Sequence, residues 1–120
     1  MKIHQSAEDY LESILTLWEK QGVVRSIDVA NDLGVSKPSV SIAMKKLREN
    51  GYVAMDQDGH ITLLPAGQAV ARKVYERHEI LTRFFIALGV SRETASDDAC
   101  RVEHVLSQET FDCIKKNMDK

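Results

Sequence analysis

Proline and cysteine are scarce, at two residues each in a chain of 120. So few cysteines cannot build a disulfide scaffold, and Cys100 and Cys113 are expected as reduced thiols, each explained by its own surroundings. Long apolar runs are missing as well. No stretch could span a bilayer, and Met1-Lys2-Ile3-His4-Gln5 lacks the apolar core of an export signal, so no membrane partner and a cytoplasmic location are expected. There is no basic excess: 16 Lys and Arg against 18 Asp and Glu give a formal charge of -2, so any sign of a nucleic-acid partner must be local. No glycine-rich phosphate loop and no substrate-side base accompanies the candidate ligands described below, which argues against an enzyme. What remains is 43% hydrophobic and 28% charged, the balance of one or two small packed units rather than a disordered tail. A core this small leaves a dimer interface as a useful extra stabiliser.

Apolar residues Tyr10, Leu11, Ile14, Leu15, Leu17 and Trp18 recur at helical spacing and predict a helix ended by Gly22. Ser26 is expected to cap a short helix carrying Ile27, Val29, Ala30 and Leu33, stopping at Gly34. Ser36 is expected to cap the next, with Pro38 in its first turn and Val40, Met44 and Leu47 as its buried stripe. Tyr52–Met55 and His60–Leu64 flank Asp56-Gln57-Asp58-Gly59 and predict a two-stranded ribbon. A long helix is expected from Pro65 to Gly89, then one capped by Ser91 and holding Cys100, Glu103 and His104, and a last one from Ser107 to near Met118. The predicted fold is mainly α with a small β-ribbon: a winged helix-turn-helix over residues 1–70, then an all-helical part over 71–120.

Two short helices joined by a tight turn, the second followed by a hairpin, form the winged helix-turn-helix pattern. The second helix must lay polar side chains on base edges and apolar ones on the opposite face. Ser36, Lys37, Pro38, Ser39, Ser41 and Ile42 are the candidate base-facing residues, with Pro38 and Ile42 suited to thymine methyls. Lys45 and Lys46 join Lys37 and Arg48 as four cations, with no acid between Lys37 and Arg48, the footprint expected for phosphates. The same fold also serves protein interaction, with the lysines as a solvated face. His60 reads as a surface residue, and a ribbon of Gln57, Asp58 and His60 offers DNA little positive charge.

Cys100, Glu103 and His104 would share one face of a helix, converging a thiolate, a carboxylate and an imidazole suited to a divalent metal. Asp9 and Glu12, three apart on the first helix, and His78 on the long one supply further ligand types, whereas His4 joins no such set. Each has a simpler reading: first-turn acids favoured by the helix dipole, an interhelical histidine, a small core cysteine. Fe(II), Co(II) and Zn(II) suit the thiolate, and Mn(II) suits the carboxylates and imidazoles. Leu81, Phe84, Phe85, Leu88, Val105 and Phe111 are candidates either for a dimer face or for the core.

The order of Ser6-Ala-Glu-Asp-Tyr-Leu-Glu12, Leu64-Pro65-Ala66-Gly67, Val74-Tyr-Glu-Arg-His-Glu-Ile-Leu81 and Cys100-Arg-Val-Glu-His-Val-Leu-Ser107 resembles the diphtheria toxin repressor family, including its manganese transport regulator branch. The resemblance covers almost the whole chain. It implies a homodimeric, metal-activated repressor of metal-uptake or metal-homeostasis genes that binds a palindromic double-stranded operator. It also implies ligands at Asp9, Glu12, His78, Cys100, Glu103 and His104, and one or two ions of Mn(II) or Fe(II) per subunit. Cys100 resembles the iron-responsive branch and Asp9 with Glu12 the manganese branch, so the ligand set is a hybrid, and Thr82 and Ser96 match the iron branch's second site poorly. The SH3-like third domain of longer iron-responsive members is expected to be absent. The alternative expectation is a winged-helix regulator controlled by an organic ligand or by oxidation of Cys100.

Overall fold

The computed structural model describes residues 5–118, so His4 lies outside the described residues. The order is α1 (Gln5–Gln21), α2 (Ser26–Leu33), α3 (Lys37–Glu49), β1 (Val53–Met55), β2 (Ile61–Leu63), α4 (Pro65–Ala87), α5 (Arg92–Val102) and α6 (Gln108–Met118). The chain forms two compact units, one ending at Arg72 and the other beginning at Lys73, both drawing on α4.

In the first unit, Leu11, Ile14 and Leu15 of α1 pack with Val29 and Ala30 of α2, Val40, Met44 and Leu47 of α3, and Val53 and Ile61 of the ribbon. Each set sits at the spacing that puts it on one face, and removal of these side chains from water supplies the driving force. Trp18 departs from the predicted stripe and is 49% exposed. The strands pair antiparallel with Val53 opposite Leu63 and Met55 opposite Ile61, and Gly59 closes the turn at φ +80°, a region that glycine enters freely. The Ile61 N–H also donates to the Val24 carbonyl at 2.7 Å, fixing the ribbon to the segment before α2.

Two helix boundaries correct the sequence expectation. Arg25, not Ser26, is the N-cap of α2, and the Asp28 carboxylate accepts from the Arg25 backbone N–H at 2.9 Å. An acid three residues inside a helix reaches back to an orphan donor as well as a serine reaches forward. Helix α5 ends at Val102, so Glu103 is its C-cap and His104 lies in the following turn, not on the helix. Ser36, Ser91 and Ser107 cap as expected, accepting from the N–H groups of Ser39, Thr94 and Thr110. Leu81 and Phe111 are buried within the single chain, which removes them from the candidate dimer face, while Leu88 and Val105 are 67% and 76% exposed.

Gly67 packs against the ribbon so closely that a Cβ there would run into the Tyr52 carbonyl, which already accepts from the Leu64 N–H at 3.0 Å. Gly67→Ala is therefore expected to destabilise the protein by about 1–3 kcal/mol, read as a lower urea midpoint at constant slope. An unchanged midpoint would show that the contact yields without strain.

Candidate metal centre and nucleic-acid interface

The eight residues named for DNA all lie exposed, on α3 or, in the case of Ser36, at its cap. Val40, Met44 and Leu47 are buried and turn the helix so that Lys37, Ser41, Lys45 and Arg48 form one open row, with Pro38, Ile42 and Lys46 beside it. Ser36 and Ser39 are bound to each other, the Ser36 hydroxyl donating to Ser39 Oγ at 2.8 Å, so they stiffen the first turn as well as face outward. Among the described residues, Lys37, Lys45, Lys46 and Arg48 form no ion pair. Cations left uncompensated in a chain of net negative charge are what a phosphate backbone requires.

The second unit places its chemistry around Glu103, whose side chain is fully buried. His78 Nδ1, from α4, lies 3.0 Å from Glu103 Oε2, and His104 Nε2 lies 3.3 Å from Glu103 Oε1. The second contact lacks hydrogen-bond geometry, leaving Oε1 buried without a hydrogen bond among the described residues. A buried carboxylate oxygen without a donor is costly unless a positive charge meets it. The His78 contact is a hydrogen bond, and the imidazole nitrogens and carboxylate oxygens gathered here are donor types that a transition metal takes. The carboxylate faces a different imidazole with each oxygen, so His78, Glu103 and His104 are the residues that would hold an ion here.

Cys100 is exposed one helical turn before Glu103 and does not join Glu103 and His104 in a mutually close ligand set among the described residues. Asp9 and Glu12 are half-buried on α1. Thr82 and Ser96 line a hollow of about 370 Å³ together with His78, Glu79, Arg83 and Arg92.

Sequence reasoning missed Arg77. It is 8% exposed, and its Nη1 donates to the carbonyls of Glu103 (3.1 Å) and Leu106 (2.8 Å), its Nη2 to Gln108 Oε1 (3.0 Å). The guanidinium also lies 5.2 Å from the centre of the Phe111 ring. It thereby fixes the turn that carries Glu103 and His104, while its neighbour His78 engages the carboxylate. The one available signal was a lone arginine on the apolar side of an amphipathic helix, but its partners are backbone groups with no residue signature.

A winged helix followed by a helical unit that gathers imidazoles around a buried carboxylate defines a class of metal-binding DNA-binding regulators. Residues 2–61 match the DNA-binding domain of the iron dependent repressors, and residues 64–120 match the metal binding and dimerisation domain. The chain belongs to the iron dependent repressor family, one of regulators rather than enzymes. It is 41% identical to the transcriptional regulator MntR of Salmonella typhimurium over 107 residues, 89% of this chain and 68% of that protein. It is 36% identical to an HTH-type transcriptional regulator of Methanocaldococcus jannaschii, over 97% of this chain and 94% of that one. A manganese-dependent transcriptional repressor in complex with manganese superposes with a TM-score of 0.87 at 31% identity, covering 94% of this chain and 52% of its own. The chain thus spans about half the length of that solved structure. The matched domains favour a metal over the organic-ligand or thiol-oxidation alternative.

Arg77→Ala removes three charge-assisted hydrogen bonds and is expected to cost about 3 kcal/mol in chemical denaturation, with a parallel fall in metal affinity. Arg77→Lys cannot reproduce the fork and should recover little. Full stability in the alanine variant would remove Arg77 from the account.

Proposed function

We propose that the protein is a metal-dependent DNA-binding transcriptional repressor acting in the cytoplasm as a homodimer on a palindromic operator. The observation that carries the reading is the buried Glu103 carboxylate between His78 and His104. In this reading residues 1–70 bind DNA and residues 71–120 bind metal and dimerise. His78, Glu103 and His104 are ligands, and Asp9, Glu12 and Cys100 are assigned to the same set from residue type and family position. When bound, the ion supplies a dense positive charge that several anionic and imidazole groups can share, linking segments distant in sequence. Mn(II) or Fe(II) is the expected ion. The manganese-dependent relative favours the first, and the softer Cys100 thiol favours the second.

The protein's own residues then do the rest. Ser36, Lys37, Pro38, Ser39, Ser41 and Ile42 meet base edges and adjacent backbone, while Lys45 and Lys46 hold phosphates. Leu88 and Val105, with half-exposed Ile86, offer apolar surface for a second copy. A ligand that favours the DNA-competent arrangement raises operator affinity only by its differential affinity for that arrangement.

Electrophoretic mobility shift with Mn(II) and with chelator tests the reading. Glu103→Gln and His104→Ala are expected to abolish the metal response while melting near the wild-type midpoint, and a retained response in either would refute the site. Lys45→Ala should lower the slope of log affinity against log salt by about one unit. An unaltered slope would remove Lys45 from the interface.

A further inference from the structure

We propose that Arg25 is a DNA-backbone contact carried to the wing by His60, which acts as a positioning residue joining the wing turn to the start of α2. The inference rests on the DNA-binding reading and extends it to residues that reading does not use. A relay of three side chains supports it: Asp56 Oδ2 lies 3.2 Å from His60 Nδ1, and His60 Nε2 lies 3.1 Å from Arg25 Nη2. A guanidinium has only donors, so Nε2 must accept, and the single ring proton must sit on Nδ1, where the carboxylate receives it. The neutral imidazole is thereby held in one tautomer and one orientation.

Both ends of the relay are anchored. The Asp56 carboxylate also accepts from the backbone N–H groups of His60 and Asp58, each at 2.9 Å. These bonds, that from His60 foremost, hold its carboxyl below the ordinary carboxylate range, so it remains an ionised acceptor. At the other end, the Arg25 N–H is bound by Asp28, and the preceding carbonyl, of Val24, accepts from Ile61 of the ribbon. The start of α2 and the base of the wing therefore move together.

The charge pattern gives the relay its use. The turn between the strands, Asp56-Gln57-Asp58-Gly59, carries two carboxylates and no cation, so by itself it would repel phosphates. Arg25 is exposed and forms no ion pair among the described residues; its side-chain partner is a neutral ring nitrogen that leaves its charge intact. His60 thus holds a cation from outside the ribbon against a ribbon that lacks one, extending the phosphate footprint beyond α3.

Fluorescence anisotropy with a mixed-sequence DNA duplex and Mn(II), repeated across salt concentrations, tests the proposal on the full chain. Arg25→Ala should lower the salt slope by about one unit, and Arg25→Lys should keep it. His60→Ala should weaken binding in the wild-type background and have little effect once Arg25 is alanine, whereas His60→Gln, which retains an acceptor for Arg25, should restore binding. An unaltered slope in Arg25→Ala, or a His60→Ala effect of equal size with and without Arg25, overturns the proposal. Lys45→Ala run in parallel separates the two readings. A lowered slope there with none in Arg25→Ala leaves DNA binding standing and removes Arg25. Salt-independent behaviour of every protein, wild type included, removes DNA binding itself and this proposal with it. If Arg25→Ala fails to fold, Arg25→Gln, which removes the charge and keeps a polar side chain of similar length, is read in its place, with the same lowered slope expected and an unaltered slope overturning the proposal.

Discussion

A carboxylate sealed from water must be met by positive charge, and that constraint organises the second unit. Glu103 is fully buried, one oxygen faces His78 and the other faces His104, and no hydrogen bond reaches Oε1 among the described residues. Two imidazoles approach such a group from either side, and a divalent ion shared with them would satisfy it outright. The fold spends its most committed buried cation nearby on a different task. Arg77 holds the backbone of the Glu103–Leu106 turn rather than the carboxylate, leaving the carboxylate oxygens to the imidazoles and to whatever ion they share.

The first unit meets the opposite demand. Its chemistry depends on cations kept free of internal partners, and α3 achieves this by excluding acids from Lys37 to Arg48 while the buried stripe turns the lysines outward. Net charge conceals this arrangement, because acids elsewhere in the chain outnumber the bases. A metal-controlled regulator must carry both polarities, carboxylates to hold a cation and cations to hold an anionic backbone, so a total charge near zero is the natural sum.

Features set by near neighbours in the chain were legible in the sequence. The Ser36 cap with Pro38 in the first turn, the Val40–Met44–Leu47 stripe and the Asp58-Gly59 turn all follow from residues within a few positions of each other. Features set by distant partners were not. Helix α5 stops at Val102 because the next turn is held by Arg77, 26 residues away from Glu103, and this takes His104 off the helical face that spacing predicts. The Arg25 cap and the Arg25–His60 contact were hidden for a similar reason. Serine beside arginine reads as the better cap, and a lone histidine on a ribbon reads as surface until a partner 35 residues away is seen against it. The candidate donor types, by contrast, were readable because Cys100, Glu103 and His104 stand within five residues of one another in the chain.

Metal and DNA linked through one equilibrium must help each other equally, since the coupling free energy belongs to the pair and not to either ligand. The most direct measurement is therefore Mn(II) affinity by calorimetry, with and without a saturating operator duplex, set beside operator affinity with and without Mn(II). The account predicts that both ratios exceed one and agree within error. Equal Mn(II) affinity in the presence and absence of DNA, with operator binding undiminished in chelated buffer, would contradict it.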